Sequence, residues 1–170
     1  DVCSATIPDK VVEIGAYAFA DCFYLEDVRL GPYLQTLGYR PFDGTSLESL
    51  TLPKRLKATA GHPLAGGDWA TAVQVEAGNR AFTAIDGVLY SADLTTLVAC
   101  PATLTDLTIP ASVDEIGSEA FAGCIVLKTV TFTGDAPLIV ADGDALYQDT
   151  PQSLVTYASA ETAGWSGTMW

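Results

Sequence analysis

The chain has 170 residues, 49% of them hydrophobic, which is length and apolar content enough to bury a stable core. Eight Lys and Arg against 21 Asp and Glu give a net charge of -13. That balance repels phosphate backbones and anionic membrane surfaces at range, so no nucleic-acid partner is expected. Nor does any apolar run approach the roughly 18 residues of a membrane span, so membrane insertion is not expected of this piece.

In chain order, the first predicted element is a unit that returns later. Residues 7 to 30, IPDKVVEIGAYAFADCFYLEDVRL, recur at 109 to 132 as IPASVDEIGSEAFAGCIVLKTVTF, identical at 12 of 24 positions. Ile7, Val11, Ile14, Phe19, Cys22, Leu25, Val28 and Leu30 return as Ile109, Val113, Ile116, Phe121, Cys124, Leu127, Val130 and Phe132. These are the predicted inward positions. Two degenerate units intervene, carrying Leu30, Leu34, Leu37, Phe42, Leu50 and Leu52, then Leu52, Leu56, Leu64, Val73 and Val75. The units run 7–29, 30–51, 52–75 and 109–132. The second has lost one residue between Phe42 and Leu47, a change that a turn absorbs.

Between the third and fourth units, residues 82–101 are expected to form an inserted β-hairpin. Its strands are Val88 to Ser91 and Thr95 to Cys100, with the turn signal Asp86-Gly87 before the first and Pro101 after the second. Residues 133–170 follow as a C-terminal capping segment. The self-similarity marks a solenoid, read here as one repeat domain over 1–170, and stacked repeats present broad rigid surfaces instead of one deep pocket. Because the chain opens at Asp1 without Met, and without a polar cap before its first repeat, it is expected to be a fragment of a longer protein.

Within each unit, Leu25 to Leu30, Leu47 to Leu52, Leu104 to Ile109 and Leu127 to Phe132 read as short strands that stack in parallel into one sheet. Ile14-Gly15 and Ile116-Gly117 suggest a second strand, and the following A-F-x-x-C stretches suggest short helical turns. The expected fold is therefore a curved, β-rich right-handed superhelix. Phe19, Phe42 and Phe121 should form an interior ladder that Leu64 continues.

The pattern I-P-x-x-V-x-x-I-G-x-x-A-F-x-x-C-x-x-L-x-x-V, at Ile7 to Val28 and Ile109 to Val130, resembles the BspA-type leucine-rich repeat. The I-D-G-V-L-Y core at Ile85 to Tyr90 is similar to an insertion that punctuates arrays of this family, and Ala163-Gly164-Trp165 to Trp170 is similar to a frequent ending. The third unit departs from the pattern, with Thr59, Ala60, Leu64 and Gly67 at the second aliphatic, glycine, phenylalanine and cysteine positions, and is expected to pack least tightly. The resemblance implies a leucine-rich repeat fold and a secreted or surface-exposed bacterial protein, in a family some of whose members bind host matrix proteins or other cells. It brings no catalytic residues.

Candidate chemistry is sparse. Cys22 and Cys124 share an inward position several layers apart, too far for a bridge limited to about 7 Å between Cα atoms, and are expected as buried free thiols. Pairing of Cys3 with Cys100 requires the N-terminal tail to fold back over the hairpin. His62, the sole histidine, lies in Gly61-His62-Pro63 and is expected in an exposed turn. Asp142-Gly143-Asp144 is the one calcium-like cluster, but it lacks the other ligands of a calcium loop. Lys54, Arg55 and Lys57 form a basic cluster, expected to be a solvated face. No nucleophile elbow or phosphate loop is present, so no enzyme activity and no cofactor is expected.

Function is expected on the outward residues of the stacked strands: Glu26, Asp27, Arg29, Glu48, Ser49, Thr51, Gln74, Asp106, Thr108, Lys128, Thr129 and Thr131, with Thr71 and Thr105 beside them. This face is polar and threonine-rich, and threonine is also favoured in strands for its own sake. The leading expectation is an extracellular recognition or adhesion module whose partner is a host-matrix or cell-surface protein. The alternatives are a structural spacer with no partner of its own, and a carbohydrate-processing or carbohydrate-binding module. Oligomeric state is left open.

Overall fold

Alternation of polar and apolar residues, as in Ser49-Leu50-Thr51-Leu52, dictates a strand with one buried face. The computed structural model, which describes residues 3–66, 70–139 and 155–158, builds a β-solenoid of about five turns from such segments. The longer strands are β1 (Ser4–Thr6), β3 (Asp27–Arg29), β5 (Ser49–Leu52), β7 (Ala72–Val75), β11 (Asp106–Ile109), β13 (Thr129–Phe132) and β15 (Val155–Ala158). The shorter strands are β2 (Glu13–Ile14), β4 (Thr36–Leu37), β6 (Ala58–Thr59), β12 (Glu115–Ile116) and β14 (Leu138–Ile139). Strand β1 precedes the first unit assigned from sequence; Ala5 and Ile7 hold the offsets of Val28 and Leu30.

Pairing is parallel and follows the repeat, with Ser4 opposite Asp27, Ser49 opposite Ala72, and Asp106 opposite Thr129. The single sheet expected from sequence is instead three ladders, β1-β3, β5-β7 and β11-β13-β15. One break falls at the shortened second unit, between β3 and β5. The other falls where the insertion meets β7, whose Val73 N–H donates to the Gly87 carbonyl at 3.0 Å.

No helix forms among the described residues, which corrects the expectation of short helical turns. In the A-F-x-x-C corner the N–H groups of Tyr17, Phe19 and Asp21 donate outward, to the carbonyls of Tyr39, Pro41 and Asp43 on the next coil. Those between them close tight turns: Ala20 N–H to Tyr17 and Cys22 N–H to Phe19. With alternate donors committed to the neighbouring coil, no i→i−4 pattern develops. Positive φ at Tyr17 (56°) and Asp21 (60°) interrupts it further.

The repeat's glycine has a packing cause. A Cβ on Gly38 would collide with the Ala16 backbone, and one on Gly117 would stand 3.0 Å from the Leu97 carbonyl oxygen. Successive coils therefore approach at this corner more closely than a side chain allows.

The insertion contains three strands, not the two of a hairpin: β8 (Phe82–Ile85), β9 (Val88–Ser91) and β10 (Thr96–Ala99), antiparallel in sequence. Strand β10 then pairs in parallel with β12, so the insertion returns the chain to the stack. It also stands between two cores. Leu89 and Ala99 belong to the first, with Leu50, Phe42 and Leu64; Val88, Tyr90 and Leu97 belong to the second, with Phe121 and Val130. Alternation along β9 thus sends successive side chains to opposite cores, which is why three consecutive residues are buried. A bulge between Leu97 and Ala99, opposite Tyr90 and Leu89, rephases β10 so that two residues that would share a face serve different cores.

The aromatic ladder is accordingly split. Phe19 stacks on Phe42 with ring centroids 5.5 Å apart, and Leu64 lies in the same core, but Phe121 is in the second. The third unit buries Leu56, Leu64 and Val73 to 3% exposure or less. Cys22, expected inside, is exposed: no described coil covers its outer side, whereas Cys124 is covered by Cys100 and Pro101.

Candidate functional site

Because each longer strand turns its apolar residues inward, the intervening residues face solvent. Glu26, Asp27, Arg29, Glu48, Ser49, Thr51, Gln74, Asp106, Thr108 and Lys128 are exposed, and Thr129 and Thr131, on the β13 strand flanked by β11 and β15, are half-buried. Local bonds order part of this face. The Thr105 hydroxyl donates to Asp106 Oδ2 at 2.8 Å, and this bond, with that from Thr129, holds the Asp106 carboxyl below its ordinary value. The Thr71 hydroxyl donates to the Glu48 carbonyl at 2.9 Å, and the Ser46 hydroxyl to that of Phe23 at 2.7 Å. Two shallow depressions open here, one of about 540 Å³ lined by Glu26, Ser46, Glu48, Thr71 and Thr103, the other of about 710 Å³ between β1, β3 and Thr51. Both are open and polar, suited to lateral contact and not to enclosing a small molecule.

A second polar constellation is buried. Tyr17, Tyr39, Gly61 and Glu119 share one repeat offset on successive units. Glu119 is 1% exposed, and its Oε1 accepts from the Tyr39 hydroxyl at 2.6 Å and from Arg40 Nε and Nη2 at 2.9 and 2.7 Å. Gly61 lies against this contact, where a Cβ would touch Glu119 Oε2 at 3.4 Å, and its φ of +95° is one that residues with side chains rarely adopt. That oxygen is buried without a hydrogen-bond partner among the described residues.

His62 lies beside this cluster and is 2% exposed, contrary to the exposed turn expected from sequence. Its Nδ1 accepts the Leu64 N–H at 3.0 Å, so Nε2 carries the proton and donates to the Cys100 carbonyl, also at 3.0 Å. Burial is the largest influence and lowers its pKa from the ordinary 6.5, outweighing the Glu119 carboxylate. The ring bridges the third unit to the end of the insertion, and only the packed structure creates that demand. Enclosed between coils, the carboxylate through Oε1 and the imidazole through both ring nitrogens act as a clamp between units.

All four cysteines are free. Cys3 and Cys22 are exposed; Cys100 and Cys124, one repeat layer apart, are buried together, with Cys124 Sγ 3.4 Å from the Cys100 carbonyl oxygen. The Cys3–Cys100 pairing considered from sequence is thus replaced by a buried thiol neighbourhood, in which the Cys124 hydrogen bond and burial push the Cys100 thiol up. Among the described residues no three His, Cys, Asp or Glu gather to hold a metal ion. Asp142 and Asp144 lie outside the described residues.

Parallel coils of 22 or 23 residues with an inward leucine scaffold define the class, a leucine-rich repeat protein. Residues 1–63 and 98–143 match the BspA type leucine rich repeat region in six copies, and the chain belongs to that family. The gap between the two matched stretches contains β8, β9 and the start of β10. No curated protein matches the chain. Among solved structures, the pneumococcal vaccine antigen PcpA is similar at 25% identity with a TM-score of 0.77, over 90% of this chain and 39% of that one. A leucine rich cell surface protein from Faecalibacterium prausnitzii A2-165 is 21% identical with a TM-score of 0.69, over 94% of this chain and 38% of that one. The T. pallidum leucine rich repeat protein TpLRR shares the fold at 23% identity and a TM-score of 0.56, over 92% of this chain and 69% of that one. The chain spans under two fifths of the first two proteins.

Proposed function

We propose that this chain is a non-catalytic recognition module on the bacterial cell surface or in the extracellular space, contacting a host-matrix or cell-surface protein through the outward side chains of its longer strands. The observation that carries this reading is the set of exposed polar side chains at one repeat offset, Asp27, Ser49, Asp106 and their neighbours, each carried on a parallel ladder of the solenoid. Descriptions of similar structures as a vaccine antigen and a cell surface protein support the location. The face offers no tryptophan or tyrosine anchor among its described residues, so a single copy binds weakly and strength comes from multiplicity.

The test is binding of the purified chain, monomeric and multimerised, to a panel of extracellular-matrix and serum proteins. A saturable signal that strengthens on multimerisation by about 10²-fold or more supports the reading. Silence from both forms contradicts it and leaves the spacer role.

A further inference from the structure

The chain's eight cations are unevenly distributed. Lys54, Arg55, Lys57 and Arg80, half of the total, line one open groove of about 800 Å³ beside Gln35, on the turns that follow β5 and β7 and away from the strand face. All four are exposed, and none forms an ion pair with a described residue. Their positions are set by the repeat. Lys57 follows Gln35 by the 22 residues that separate Thr36 from its β6 partner Ala58, and Arg80 follows Lys57 by the 23 that separate Ser49 from Ala72. Gln35, Lys57 and Arg80 therefore form a column on consecutive coils. Lys57 and Arg80 thus bring like charges to adjacent coils, and neither forms an ion pair with a described carboxylate.

The neighbouring coil also holds three of these cations in place. Lys57 Nζ donates to Gln35 Oε1 at 2.8 Å, and the Arg55 guanidinium lies 4.5 Å over the Tyr33 ring. Lys54 crosses Gly78, where a Cβ would stand 3.0 Å from its Cε and 3.3 Å from its Nζ. Positioned, unneutralised donors on a rigid support are the requirements of an anion site.

We infer that this groove binds an acidic polysaccharide, sulfated or uronate-bearing, running along the column across successive coils. Four cations engage a thin polyanion within a Debye length of roughly 8–10 Å, and they outnumber the Glu76 carboxylate at the groove's edge, whose Oε2 accepts the Lys54 backbone N–H at 2.8 Å. The alternatives fit less well. Single-stranded nucleic acid needs aromatic platforms for its bases, and no aromatic residue lines the groove; the nearby Tyr33 ring carries Arg55 on one face. A membrane surface needs apolar side chains to insert, and the groove is lined by Gln35, the four cations, small residues and buried Leu56.

The test measures binding of the full chain to immobilised heparin at about 0.15 M salt, with neutral dextran and duplex DNA as comparators. The expected result is salt-sensitive, saturable binding to heparin that exceeds binding to either comparator. The double variant Lys57→Gln/Arg80→Gln should lower it about tenfold or more, while Lys10→Glu, with the same charge change elsewhere, retains it. Both variants alter exposed side chains, and an unchanged circular dichroism melt confirms folding. Absence of heparin binding, equal loss in the two variants, or equal affinity for DNA would each overturn the assignment.

Discussion

Arg40 and Glu119 stand 79 residues apart in the chain, yet Arg40 Nη2 lies 2.7 Å from Glu119 Oε1, joining the second unit to the fourth past the glycine of the third. Glu119 is almost wholly buried, so the pair is a junction and not a surface contact. Removing one partner leaves an uncompensated charge inside. Arg40→Ala should therefore destabilise by about 3 kcal/mol, and Arg40→Met/Glu119→Leu should recover most of that loss, as measured by urea unfolding. A double variant no more stable than Arg40→Ala would show that the two side chains act separately.

His62 imposes a pH dependence. Its folded pKa lies below 6.5, so between the two values the unfolded chain binds more protons than the folded one. The stability this provides is complete above about 6.5 and declines as pH falls from there, by at most about 1.4 kcal/mol per pH unit. His62→Gln should flatten the melting temperature between about pH 7 and 5.5 relative to the parent. Parallel profiles for the two proteins would contradict the buried neutral imidazole.

The cysteines should divide two and two. Cys3 and Cys22 are exposed and should react with a thiol reagent under native conditions, whereas Cys100 and Cys124 should react only on unfolding. Alkylation followed by peptide mass spectrometry distinguishes them. Rapid labelling of Cys124 would mean that the fourth unit opens at its corner.

Phe42 and Phe121, at 1% and 0% exposure, anchor different cores, and truncation of either to Ala should cost about 3–5 kcal/mol. Phe19 is half-buried at the first coil, and Phe19→Ala should cost less. An equal loss for Phe19 would imply that a further layer covers it in solution.

The inward scaffold was legible because each position recurs: Ile7 and Ile109, Leu25 and Leu127, Val28 and Val130 are all buried, and spacing alone identifies them. What eluded the sequence depends on what stacks above or below. Cys22 and Cys124 have the same offset and stand two residues after the same Ala-Phe-Ala, and differ in burial because only one is covered. His62 occupies the offset of Arg40 and Ala120 in a turn of ordinary turn residues, and its partner, the Cys100 carbonyl, is supplied by the insertion. Strand β8 was missed because Phe82-Thr83-Ala84-Ile85 carries a weak alternation that pairing with β9 completes. The clamp of Tyr39, Arg40 and Glu119 breaks the repeat by placing a tyrosine, a glycine and a glutamate at one offset. That substitution pattern was the available signal. The candidate binding face was legible as the complement of the inward set, and Arg80 joined the basic groove only through register.

The most direct test of the recognition account compares the affinity of the parent chain and of Asp27→Asn/Asp106→Asn/Lys128→Gln for a captured protein partner, with Lys57→Gln/Arg80→Gln beside them. The account predicts that the strand-face variant loses binding by about tenfold or more with an unchanged melt, while the groove variant keeps it. Equal affinity of the strand-face variant and the parent would contradict it.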